Sequence, residues 1–232
     1  MIRIYYDSEF TGLHRNSTLI SIGMVTDRGS TFYAEFIDYD KEQVNDWINE
    51  NVIANLKFKD KPLLSPGLNH HQEKWNAAQV ILKGPPFEYS IEVSGTADIV
   101  REQLSKWLQN ISEFYQQELQ FYVDCYAYDW MLLVDLLTEG KTAIDMPNFI
   151  DYIPVDLSTV LWSMMEDPDV NREKFAGTRF VDDLNVDPDN GNIIDGVIHK
   201  HNALWDAKVI KHCFQRITRH CVPDKCALIY TE

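Results

Sequence analysis

The sequence predicts an α/β domain built on a mixed β-sheet flanked by helices. Three observations carry that expectation. Three strand-like segments open the chain, helical and strand-like periodicities alternate after them, and the composition provides apolar surface for one large core. The 232 residues are 45% hydrophobic, 12% aromatic and 25% charged, a balance that favours a globule over disorder. That length suits a single domain spanning residues 1–232.

The elements follow in order. Ile2 to Tyr6, Thr18 to Thr26 and Thr31 to Ile37 are rich in β-branched and aromatic residues, and Asp27-Arg28-Gly29-Ser30 is a short hairpin-like link between the last two. Val44, Trp47, Ile48, Val52 and Leu56 recur at helical spacing, which predicts an amphipathic helix over Glu42 to Leu56. From Lys57 to Ser94 the pattern is broken by Pro62, Pro66, Pro85 and Pro86, and only short irregular elements are expected. Thr96 as N-cap, Asp98 in the first turn, and Ile99, Leu104, Trp107, Leu108 and Ile111 predict a helix over Ala97 to Tyr115. Leu119 to Cys125 reads as a buried strand, and Tyr128 to Leu137, Val155 to Met165 and Asn202 to His220 as helices. Glu166 to Gly196 is polar and rich in Asp, Asn and Gly, so a loop or hairpin turning at Asn190-Gly191 is expected. A β-α alternation after a meander gives the mixed sheet.

No stretch approaches the roughly 20 apolar residues of a membrane helix, and the N-terminus lacks a basic-then-apolar signal layout, so a cytoplasmic protein is expected. Cys125, Cys213, Cys221 and Cys226 form no C-x-x-C pair and read as reduced thiols. A zinc cluster of Cys213, His220, Cys221 and Cys226 matches no common spacing. Asp187, Asp189 and Asn190 before Gly191 lack the glycine position and final bidentate Glu of a calcium loop, and read as a carboxylate-rich turn. The formal net charge of −15 argues against a protein that coats nucleic acid electrostatically. It leaves room for an enzyme that grips a few nucleotides through divalent cations.

Four acids stand where burial is expected. Asp7 and Glu9 lie two apart at the first strand, so both side chains point to one face. Such a pair is costly unless a cation separates the charges, although a solvated strand end is the commoner origin of a lone D-x-E. Asp129 opens a helix on the face of Leu132, Leu133 and Leu136 and so leans toward the core, although an acid that only complements the helix dipole accounts for it equally well. Asp206 falls on the apolar stripe of Ala203, Ile210, Cys213 and Ile217, and a carboxylate there needs an ion pair or a metal. On one continuous helix His201 and Asp206 would point about 140° apart. They converge only if His201 precedes the helix; alone it would read as a surface histidine.

As a set these residues resemble the DEDDh family of 3′-to-5′ exonucleases, which includes proofreading subunits, ribonuclease T and oligoribonuclease. Asp7-Ser8-Glu9-Phe10-Thr11-Gly12 looks like the family's first motif, and Leu19 to Val25 like its second strand. Cys125-Tyr126-Ala127-Tyr128-Asp129 is similar to the second motif, and His201-Asn202-Ala203-Leu204-Trp205-Asp206-Ala207 matches the third, H-x-A-x-x-D-A. The sequence departs at Asp124-Cys125, where many relatives carry a His-Asn pair. The long first meander with Val44-Asn45-Asp46-Trp47-Ile48 resembles a small bacterial and phage subfamily of exoribonucleases similar to polyadenylate-degrading enzymes.

The resemblance implies a ribonuclease H-like fold, with a mixed five-stranded sheet whose second strand is antiparallel and helices on both faces. It implies hydrolysis of a phosphodiester with two Mg²⁺ or Mn²⁺ ions held by Asp7, Glu9, Asp129 and Asp206, with Asp7 as bridge. His201 is implied as general base, a role suited to imidazole's ordinary pKa near ~6.5. Phe10, Thr11, Gly12 and Leu13 are implied to meet the terminal nucleotide, Phe10 by stacking, although core packing accounts equally well for Phe10. The implied partners are 3′ ends of single-stranded RNA or DNA, RNA ahead of DNA; the sequence leaves a monomer or a homodimer open. The rival reading is a scaffold or nucleic-acid-binding subunit of the same fold without chemistry, which would gain nothing from unpaired buried carboxylates.

Overall fold

The computed structural model describes residues 1–59, 78–81, 90–177 and 200–220. The strands are β1 (Ile2–Phe10), β2 (Leu19–Thr26), β3 (Thr31–Phe36), β4 (Ala78–Ile81), β5 (Ser90–Gly95), β6 (Leu119–Val123) and β7 (Val155–Asp156). The helices are α1 (Asp46–Asn51), α2 (Ala97–Tyr115), α3 (Asp129–Thr138), α4 (Leu157–Ser163), α5 (Arg172–Ala176) and α6 (Ala203–His220). One mixed sheet has the order β4-β5-β3-β2-β1-β6-β7. β2 runs antiparallel to β1 and β3, and β4 antiparallel to β5, while β1–β6, β3–β5 and β6–β7 are parallel.

Side-chain alternation splits the core across this sheet. Ile2, Ile4 and Tyr6 join Ile22, Met24 and Phe32 under α2 and α3, where Val100, Leu104, Trp107, Leu108 and Leu133 pack. Tyr5, Val25 and Tyr122 face the other way, against Val209, Ile210, Cys213 and Phe214 of α6 and Leu157 and Leu161 of α4. A third small cluster seats Ile48 and Val52 on Ile20. Because β1 is covered on both faces, its first half reads as an almost unbroken apolar run.

The α/β class stands, and Ala97–Tyr115 forms as one helix, but several boundaries move. β1 continues through Phe10, four residues beyond Tyr6, because β2 pairs with it along that whole length. Among the described residues the sheet has seven strands rather than five. Two of them, β4 and β5, come from the proline-rich segment that showed no strand period. The helix expected over Glu42 to Leu56 is broken. The Asn45 side chain accepts from Ile48 N at 2.9 Å and starts α1 afresh at Asp46, with 3-10 turns over Lys41–Gln43 and Ile53–Asn55 on either side. The helix expected from Val155 likewise starts at Leu157, since Asp156 caps Thr159 N at 2.7 Å and Val155–Asp156 pairs with β6 instead. Within the expected loop of Glu166 to Gly196, Arg172–Ala176 is helical. Its Asn190-Gly191 turn and Asp187, together with Cys221 and Cys226, lie outside the described residues. Among the described residues no helix is long and apolar enough to cross a membrane.

Candidate active site

The site forms at the C-terminal end of β1, where a close approach between β2 and α6 brings distant residues together. In the β1–β2 register Asp7 lies opposite Gly23 and Glu9 opposite Ser21, with a bulge between Glu9 and Phe10. A Cβ at Gly23 would lie 2.2 Å from the Ala203 carbonyl carbon and the Leu204 nitrogen. Only glycine lets the first turn of α6 rest directly on the strand. Asp206 thereby reaches the face of the sheet that carries Asp7 and Glu9.

His201 stands before α6, as the convergence argument requires. Its backbone sits in the left-handed region at φ 63°, a conformation that costs an L-residue about 1–2 kcal/mol. The strained turn aims its N–H at Asp206 Oδ2, 2.9 Å away. Its Nδ1 comes within 3.7 Å of Glu9 Oε1. Glu9, His201 and Asp206 can each offer one ligand atom, all within 4.8 Å of one another. Asn202 begins the helix, its carbonyl accepting from Asp206 N at 3.0 Å and its Oδ1 from Trp205 N at 3.3 Å.

Asp129 arrives from the opposite side of the sheet. Ser8 alternates away from Asp7 and Glu9, and donates to Asp129 Oδ1 through its N–H at 3.2 Å and its hydroxyl at 2.6 Å. The Cys125 N–H donates to Oδ2 at 3.2 Å. These bonds fix the carboxylate, which is 2% exposed.

The acids oppose one another electrostatically. Burial pushes Asp7 well above the usual carboxylate range, and Asp129, Asp206, Glu9 and Asp124 push it further the same way. Burial does the same to Asp206, reinforced by Glu9 and Glu173 and eased by the His201 N–H and Lys200. Asp129 is raised to about 7, mainly by burial, with the Ser8 and Cys125 bonds working against the shift. Like charges gathered out of water are stable only when protonated or bound to cations. Asp124 is different: Arg172 grips it with two bonds of 2.7 Å, Nε to Oδ2 and a terminal nitrogen to Oδ1.

No family model matches the chain. It is similar to the 3′-5′ exoribonuclease Rv2179c of Mycobacterium tuberculosis strain H37Rv, at 34% identity over 55 residues. The corresponding 3′-5′ exoribonuclease of strain CDC 1551 matches equally. The matched stretch is 24% of this chain and 33% of the length of those relatives. Among solved structures, that of a yeast NOT1 MIF4G domain co-crystallised with CAF1 aligns with 96% of this chain and 82% of its own. The identity there is 13% and the TM-score 0.39.

The structure thus gathers Asp7, Glu9, Asp129, Asp206 and His201 at one place. Of the residues expected to meet a nucleotide, Phe10 stacks on Tyr128, with centroids 5.4 Å apart and planes at 13°, so each aromatic flanks an acid. Thr11 is buried at 2% exposure, its hydroxyl hydrogen-bonded to Gln43 Oε1 and accepting from Thr18 N at 2.9 Å. Gly12 follows in the turn, where its carbonyl accepts from His14 N at 2.9 Å, and Leu13 is exposed. Three contributors were not singled out from sequence. Gly23 had a signal, a glycine inside a β-branched strand. Trp47, read as part of an apolar stripe, is 54% exposed and meets the His201 ring edge-on at 5.1 Å. Arg172 lay in a segment read as loop, with nothing local to mark it.

Proposed function

We propose that the chain is a metal-dependent 3′-to-5′ exonuclease of the DEDDh type. It acts on single-stranded 3′ ends, RNA in preference to DNA, and releases nucleoside 5′-monophosphates. One observation carries this reading: four carboxylates from β1, α3 and α6, Asp129 buried and the other three half-buried, converge at one point, raise the pKa values of their neighbours, and have a histidine against them. The similarity to mycobacterial 3′-5′ exoribonucleases favours RNA. The strand order β3-β2-β1-β6-β7 with β2 antiparallel supports a ribonuclease H-like fold, to which β5 and β4 are additions.

The donor set fits hard divalent cations, since it is all carboxylate oxygen apart from His201 and its negative charge exceeds what local donors balance. Asp7, Glu9, Asp129 and Asp206 would hold Mg²⁺ or Mn²⁺. When bound, two such ions supply positive charge to the attacking and leaving oxygens of the phosphodiester. The chain's own groups do the rest. Ser8 and Cys125 hold Asp129 in place. The His201 N–H fixes Asp206, while its imidazole accepts the proton of the attacking water. The Phe10–Tyr128 pair offers an aromatic surface at the cluster edge, and base stacking on such a surface tolerates any sequence. With a net charge of −15, little basic surface remains to retain a strand between cuts, so the enzyme should be poorly processive.

The test is incubation with 5′-labelled RNA and DNA oligonucleotides, single-stranded and duplex, in Mg²⁺ or in EDTA. A ladder shortening from the 3′ end, dependent on Mg²⁺ and stopped by a 3′-phosphate, is expected. Fragments from a circular single strand would overturn the exonuclease reading, and inert substrate under all conditions would favour the scaffold.

A further inference from the structure

His201 is flanked by two residues that are both held by Asn55, far away in sequence on the 3-10 turn after α1. The Asn55 side-chain amide donates from Nδ2 to the Lys200 carbonyl at 2.8 Å and to the Asn51 carbonyl at 2.6 Å. Both partners are acceptors, so only the NH₂ group can face them, and both of its hydrogens are committed. On the other side of His201, the Asn202 side chain donates from Nδ2 to the Asn55 carbonyl at 3.3 Å. One residue therefore grips the chain immediately before and immediately after the histidine.

The grip is anchored in the sheet. Buried Glu35 on β3 accepts from Phe58 N, at 3.1 Å to each oxygen, and from Lys57 N, which fixes the segment just beyond Asn55. Glu35 also accepts from the Tyr33 hydroxyl at 2.7 Å, and that hydroxyl accepts from Asn202 Nδ2 at 3.3 Å. The bonds close a ring from Glu35 through residues 57–58 and Asn55 to Lys200 and Asn202, and back through Tyr33. A network that returns on itself leaves its members little freedom to shift singly. What it encloses is the left-handed turn at His201, a conformation that needs the surroundings to hold it.

We infer that Asn55 is a positioning residue for His201: by clamping Lys200 and Asn202 it holds the imidazole over Glu9 and Asp206. This rests on the reading of His201 as the proton acceptor. The bonds of Asn55 go to the Asn51 and Lys200 carbonyls and to Asn202 rather than to a carboxylate, so its loss should act through the histidine and spare cation binding.

The experiment compares wild type, Asn55→Ala, Asn55→Asp, His201→Ala and the Asn55→Ala/His201→Ala double variant. Asn55→Asp keeps the shape but sets a carboxylate against two carbonyls, so it tests the donors if the alanine variant folds poorly. Rates are measured on a 5′-labelled single-stranded RNA oligonucleotide at saturating Mn²⁺, and Mn²⁺ affinity by thermal shift. Each single Asn55 variant should lower kcat by about 10- to 100-fold, the scale of a misplaced catalytic group, with Mn²⁺ affinity unchanged. In the His201→Ala background Asn55→Ala should cost nothing further. In metal-free protein the His201 imidazole NMR resonance, assigned by its absence in His201→Ala, should move in both Asn55 variants. An Asn55 effect that multiplies with that of His201→Ala, a full-rate Asn55→Ala, lost Mn²⁺ affinity or an unmoved resonance overturns the inference. A His201→Ala enzyme at wild-type rate instead overturns the reading of the histidine beneath it.

Discussion

In the absence of divalent cations the protein should lose stability as pH rises from 5 to 8, because the site's carboxyls hold protons more tightly folded than unfolded. Asp129 allows a magnitude. Its carboxyl is raised from an ordinary value of 3.8 to about 7, a shift of about 3 pKa units, worth about 4 kcal/mol at about 1.4 kcal/mol per unit. The folded form binds the proton better, so this penalty is absent below about pH 4, grows through the window up to about 7 and is complete above it. Between pH 5 and 8 roughly 3 kcal/mol of it develops, or roughly 5–10 °C in Tm for a domain of this size. Asp7 and Asp206 are shifted in the same direction and deepen the fall. Differential scanning fluorimetry in EDTA across that range measures it, with Asp7→Asn as the decisive comparison. Removing Asp7 takes away a charge facing Asp129, Asp206 and Glu9. The variant should melt above wild type at pH 8 in EDTA, show a shallower pH dependence, and lose the stabilisation expected of Mn²⁺ in wild type, about 2.7 kcal/mol at a hundredfold excess over Kd. A wild-type Tm that is flat or rising from pH 5 to 8 in EDTA, or an Asp7→Asn profile parallel to wild type, would refute the reasoning.

Two further substitutions probe how the site is assembled. Gly23→Ala places a methyl group against the backbone of Ala203, which cannot rotate away; overpacking of this kind costs about 1–3 kcal/mol. Its Tm should fall by several degrees and the rate of the proposed exonuclease reaction by more than the stability loss explains, whereas an unchanged Tm would show that α6 does not rest on β2. Arg172→Gln leaves Asp124 without its bidentate partner beside the acid cluster, a loss of about 1.5–3 kcal/mol for charged hydrogen bonds. Urea denaturation should show that loss and its recovery in Asp124→Asn/Arg172→Gln; a double variant no better than the single would mean the pair contributes little.

The sequence by itself determined the α/β class and the elements whose period is long and regular, such as Ala97–Tyr115, where Leu104, Trp107, Leu108 and Ile111 of the expected stripe are buried and Val100 takes the buried place expected of Ile99. It also marked the candidate chemistry, since Asp7, Glu9, Asp129 and Asp206 are charged residues on periods that otherwise bury apolar side chains, and a period is a local property. The break of the Glu42 to Leu56 pattern at Asn45 was legible in principle, because an internal Asn is a cap as readily as a helical residue. Other features had no local trace. The strand β5 pairs with the edge that β3 offers, and β4 adds antiparallel to β5; pairing partners are chosen by the whole sheet. Gly23 is needed because α6 lies on it, Arg172 because α5 brings it to Asp124, and Asn55 because the turn after α1 reaches the residues flanking His201. Each depends on an approach between segments remote in sequence. Residue type and spacing therefore marked which groups carry the proposed chemistry, and only tertiary packing decided what holds those groups in place.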